Sequence, residues 1–147
     1  MGIGWSIHKN GGWQGQFERV HRWYGRLVHS ASIGSADWED FAFTFFQNCY
    51  YLREWVEKTS TITSSDLDLL FSQSRELQVC RDLCNGTKHL TISKPSVDAN
   101  FSIAREYNPS SAHKYRLVVI ADDKFDLLEL ANKCIQEWER FLSKHTV

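Results

Sequence analysis

Residues 66–90 read DLDLLFSQSRELQVCRDLCNGTKHL. Leu67, Leu70, Phe71 and Leu77 recur at helical spacing, which predicts one helix from about Asp66 to about His89. At about 100° per residue, with Leu67 at zero, these residues and Ser74 fall between about 280° and 40°. Arg81, Cys84, Asn85, Lys88 and His89 continue that sector, and Asp82 sits at its edge. Val79, Cys80 and Leu83 take the opposite side, between about 120° and 220°. A stripe that begins apolar thus turns polar. Three readings account for this: the helix twists or ends, the polar groups pair internally, or they line a cleft for an anion. Gly86 disfavours helix and is a candidate end.

Upstream, residues 1–15 contain five glycines without helical period and are expected to form a flexible N-terminal arm. A stripe of Phe17, Val20, His21, Tyr24, Leu27, Val28 and Ala31 then predicts a first amphipathic helix. A second starts near Asp37, with Ser35 or Asp37 as cap. Its inner stripe is Trp38, Phe41, Ala42, Phe45, Cys49, Leu52 and Val56, and a second apolar flank carries Phe43, Phe46 and Tyr50. Two flanks suit a central helix or one that buries a face against a partner subunit. Residues 59–66 are a polar linker ending in capping residues.

Downstream, FSIAREY at 101–107 and KYRLVVI at 114–120 alternate with period two, and NPSSA at 108–112 is a turn signal. The segment 91–120 is read as a β-hairpin insertion. Asp122 and Asp123 are expected to open a last helix with the stripe Leu127, Leu128, Ala131, Cys134, Ile135, Trp138 and Leu142. The predicted fold is all-α: an up-down four-helix bundle over 16–147, with the hairpin between its third and fourth helices.

The chain has 147 residues, with 17 Lys and Arg against 18 Asp and Glu, so a strongly basic global field is excluded. No stretch approaches the roughly 18 apolar residues of a membrane helix. The N-terminal residues lack the basic and apolar regions of a secretory signal, although Gly2 and Ser6 match a myristoylation pattern. The four cysteines fall inside helical patterns, which suits reduced core thiols. A cytoplasmic protein is expected.

Arg, Asn, Lys and His together suit a phosphodiester. Arg offers a planar fork, Lys a point charge, and His a proton near neutrality. RDLCNGTKHL at 81–90, late in the third predicted helix, resembles the HEPN superfamily. Many members are ribonucleases of toxin–antitoxin, abortive-infection and phage-defence systems, and they carry an Arg, a following polar residue and a His some residues on. Seven residues separate Arg81 from His89, a departure from the usual spacing. The pair lies about 80° and about 12 Å apart on a helix. The resemblance implies a metal-independent endoribonuclease with Arg81 on phosphate and His89 transferring protons. Asp82 is its polar neighbour, and Asp82, Asn85 and Lys88 are the substrate-binding residues. It also implies RNA as partner, a homodimer and, for toxin members, a cognate protein inhibitor. The alternative is a non-catalytic helical-bundle interaction protein whose 81–89 polar cluster is structural.

Cys80 and Cys84, at i and i+4 with His89 nearby, raise zinc, with a further ligand to come from His21 or Cys49. No paired CxxC or HxxxH motif supports it, so neither metal nor cofactor is expected. His21 reads as a satisfied core or interface residue. Tyr50, Tyr51 and Trp55 are base-stacking candidates if exposed. There is no GxSxG, P-loop or GxGxxG motif.

Overall fold

A computed structural model describes residues 11–88, 102–110, 115–120 and 123–145. The Gly2/Ser6 pattern, most of the expected arm, His89, Asp122 and part of the hairpin turn lie outside the described residues. The chain is mostly helical, with α1 (Gly12–Ser32), α2 (Trp38–Thr59), α3 (Ser64–Gln73), α4 (Arg75–Lys88) and α5 (Leu127–His145). Strands β1 (Ser102–Tyr107), β2 (Tyr115–Ile120) and β3 (Lys124–Asp126) lie between α4 and α5.

The first helix begins at Gly12, ahead of the stripe that starts at Phe17. Gly12 holds φ at +54°, and a Cβ there would stand 3.1 Å from Thr59 Oγ1. The close approach lets the Trp13 amide donate to Thr59 Oγ1 at 3.0 Å, tying the start of α1 to the end of α2. Gln16, buried between these helices, donates to the Asn48 carbonyl at 2.9 Å. His21, expected at the core or an interface, is not in the core: it is exposed and sets its ring against Phe17 at 4.7 Å.

On α2 the inner stripe and, on the second flank, Phe46 and Tyr50 are used within the chain. Trp38, Ala42, Phe45, Phe46, Cys49, Leu52 and Val56 are buried, and α1, α3, α4 and α5 all pack on this helix. Tyr50 sets its ring edge-on against Phe71 of α3.

The helix expected over 66–89 is two helices. Thr63 caps the first: its side chain accepts from the Asp66 amide while Asp66 reaches back to Thr63. At Ser74 the backbone turns extended, with φ −115° and ψ 106°. The Ser74 hydroxyl then accepts from the Leu77 amide at 3.2 Å and caps α4. Gln78 Nε2 bonds back to the carbonyl of Phe71 at 2.8 Å, closing the end of α3. A wheel drawn from Leu67 does not survive this break. Val79, Cys80 and Leu83, expected opposite the core stripe, are buried together with Leu77 and Cys84.

The expected hairpin is present: β1 and β2 pair antiparallel, with Ser102 opposite Ile120 and Tyr107 opposite Tyr115. A third strand, not anticipated, adds antiparallel to β2. Ile103, Val119 and Phe125 share register across the sheet and pack against the helical core. The strand takes residues expected to start the last helix, so α5 begins at Leu127. Its cap is Asp126, which accepts from the Glu129 amide at 2.9 Å, rather than Asp122 or Asp123. Leu130 and Phe141 join the anticipated buried stripe of α5.

Two outcomes follow from these contacts. If Ser74 caps α4, Ser74→Ala lowers stability by about 1 kcal/mol in urea unfolding. In an unbroken helix the same change would be neutral or stabilising. In the sheet, Glu106 is held below its ordinary value of 4.5 by Lys124 at 2.5 Å and then by Arg116 at 2.8 Å. A depressed carboxyl stabilises the fold above the ordinary glutamate range and loses that effect as pH falls through its folded value. The melting temperature of the wild type therefore falls more steeply with acidification than that of Glu106→Gln.

Candidate functional site

The break at Ser74 sets how α4 presents its last two turns. Leu77, Cys80 and Cys84 face inward, as do Val79 and Leu83. Arg81 and Asn85 are half-buried and follow one another at i and i+4. Lys88 continues that row by spacing, as the last residue of α4. Asp82 is only 3% exposed, which places it inside the structure rather than at the surface. His89 lies outside the described residues. Of the five residues singled out, Arg81 and Asn85 thus share the accessible row, and Asp82 stands behind it.

Arg81 does not sit alone. Its guanidinium carbon is 5.8 Å from the centre of the Phe71 ring, and that of Arg53 is 5.0 Å from the same ring. A cation over an aromatic ring gains from its quadrupole. Arg53 is also paired with Asp68 of α3. Tyr50, Tyr51, Arg53, Glu54 and Glu57 line a shallow cleft of about 210 Å³ on α2. Tyr51 is 44% exposed, as a stacking residue requires. Its hydroxyl is pushed above its ordinary value by partial burial and then by Cys84 beside it. Glu54, on the rim of this cleft, pairs with Lys58 at 2.7 Å.

Sequence spacing put Cys80 with Cys84, but the fold separates their roles. The sulfurs of Cys49, Cys80 and Cys134, from α2, α4 and α5, all lie within 4.8 Å of one another and are fully buried. Cys80 donates to the Phe46 carbonyl and Cys134 to the Glu76 carbonyl, both at 3.4 Å. Cys49, with Cys134, then Cys80, and Trp138 beside it, is lowered to about 5. Burial pushes Cys80 and Cys134 well up. Within the trio, Cys49 is the sulfur that most readily gives up its proton.

A second cleft, of about 410 Å³, opens between the end of α1, the start of α2 and the sheet. Arg105 lies over the Trp38 ring at 5.6 Å within it, and the Ser30 hydroxyl on its wall is buried without a hydrogen-bond partner. Neither Ser30 nor Arg105 stood out in the sequence, since the hairpin's alternation gave Arg105 no distinguishing mark.

No family model, curated protein or solved structure matches this chain.

The Phe71 ring anchors both arginines, Tyr50 and Trp138 of α5. Phe71→Ala is expected to cost about 3–5 kcal/mol in urea unfolding. Arg53→Ala, which removes a partly exposed ion pair, costs about 1 kcal/mol or less. Comparable losses for the two would show that the ion pair, rather than the ring, holds this corner.

Proposed function

We propose that the chain is a HEPN-like, cytoplasmic protein that binds RNA and cleaves it by metal-independent acid–base chemistry, as part of a toxin or phage-defence system. In this reading α1, α2, the α3–α4 pair and α5 make up a four-helix bundle. The sheet is its insertion, and two copies act together. Arg81 contacts the scissile phosphate, Asn85 and Lys88 hold the neighbouring backbone, and His89 moves the proton. Asp82, behind Arg81, sets the position of that turn. A cognate protein inhibitor would restrain such an activity.

The observation that carries the reading is the placement of Arg81: half-buried against an aromatic ring shared with Arg53, in one row with Asn85, with the exposed Tyr51 beside Cys84 on the same helix as Arg81. A phosphate on the guanidinium with a base stacked on Tyr51 is the arrangement such a surface suits. One observation favours the alternative, a non-catalytic interaction protein: the burial of Asp82 suits a structural polar network.

The deciding experiment incubates purified protein with RNA in EDTA, beside Arg81→Ala, His89→Ala and Tyr51→Ala variants of verified fold. Cleavage is expected from the wild type and falls about a hundredfold or more in the first two variants. Tyr51→Ala weakens RNA binding about tenfold. Neither binding nor cleavage by the wild type would overturn the reading. A large drop in melting temperature for Arg81→Ala alongside inert wild type would establish the structural alternative.

A further inference from the structure

The three sulfurs of Cys49, Cys80 and Cys134 are drawn from helices far apart in sequence, and all three side chains are shielded from solvent. A metal–sulfur bond of about 2.3 Å places the sulfurs of a planar three-coordinate ion about 4.0 Å apart. The observed separations, all within 4.8 Å, accommodate that triangle after small side-chain adjustments. Among the described residues no His, Asp or Glu joins the group as a fourth ligand. The oxygens close to it, the carbonyls of Phe46 and Glu76, are hard donors that already accept from Cys80 and Cys134. A structural zinc site is closed by four ligands, whereas all-sulfur surroundings select soft ions, monovalent copper among them.

A second observation points the same way. Trp138 is fully buried, its indole N–H makes no formed hydrogen bond, and it lies close to Cys49. Indole can only donate. A buried donor left open beside a sulfur is suited to a metal-bound thiolate, which accepts where a neutral thiol accepts only weakly.

We propose that Cys49, Cys80 and Cys134 form a closed three-sulfur site for one monovalent copper ion, with Trp138 donating to the Cys49 sulfur. Binding replaces two thiol protons, which pass to solvent; two thiolates and one neutral thiol then hold the cation, leaving one net negative charge. There is no change of oxidation state. The site fastens α2, α4 and α5 to one another, so the ion acts as a staple of the fold. It is independent of the RNA reading and stands or falls separately.

The test uses the full chain, reduced and anaerobic, refolded from urea with one equivalent of Cu(I) and then challenged with a Cu(I) chelator. One copper per chain is expected, with X-ray absorption showing three sulfur neighbours. Retention falls at least tenfold in Cys49→Ser, Cys80→Ser and Cys134→Ser, and is kept in Cys84→Ser, which alters the buried thiol outside the trio. Ligand counting on the wild type keeps the test decisive if a variant does not fold. Loss of all copper to the chelator would overturn the proposal, as would binding that depends on Cys84. Uptake of Co(II) with a four-coordinate spectrum would overturn it in favour of a divalent site.

Discussion

The broad buried face of α2 is the constraint from which the rest of the structure follows. Phe45 and Phe46 are both fully buried, although adjacent residues on a helix point about 100° apart. One neighbouring helix cannot cover such an arc. With α1 along one side, α4 and α5 must close the others, and Phe71 of α3 fills the corner between Tyr50 and Trp138. The second apolar flank of α2, which invites a partner subunit on sequence grounds, is thus largely satisfied by the chain's own helices.

Covering α2 explains the interruption at Ser74. Phe71 must lie against Tyr50, while Cys80 must reach the Phe46 carbonyl one turn earlier along α2. The extended backbone at Ser74 changes direction between these two demands. It leaves few groups unsatisfied, because the serine hydroxyl caps α4 and Gln78 returns to the end of α3. The re-aimed α4 then has two working faces. Cys80 looks into the interior, toward Cys49 and Cys134, and Arg81, one residue on, lies over Phe71 at the half-covered edge.

The helices and the β1–β2 pairing were legible in the sequence because their signals are local and repeated: i, i+3, i+4 stripes and strict alternation on either side of NPSSA. What escaped detection was non-local. Ser74 is compatible with a helix interior by propensity, and only the packing of Phe71 and Cys80 on different parts of α2 makes it a cap. β3 is a short strand recruited by β2, so nothing in Lys124–Asp126 alone announces it. Each cysteine of the trio sits correctly in its own apolar pattern, yet their convergence depends on the azimuth of three helices at once. The i, i+4 spacing that paired Cys80 with Cys84 sees one helix only, and the wheel drawn from Leu67 assumed a continuous axis that Ser74 breaks.

The candidate surface and the buried sulfurs therefore share one mechanical origin. Arg81 and Cys80 are neighbours in the chain, and the rotation of α4 that sends one sulfur inward fixes the azimuth of the next side chain outward. A shift of α4 large enough to free Cys80 from Cys49 and Cys134 would also lift Arg81 from Phe71, because close-packed interiors do not deform continuously. The interior of α4 thus sets the geometry of its outer row, and the chemistry of that row is read correctly only together with the core behind it.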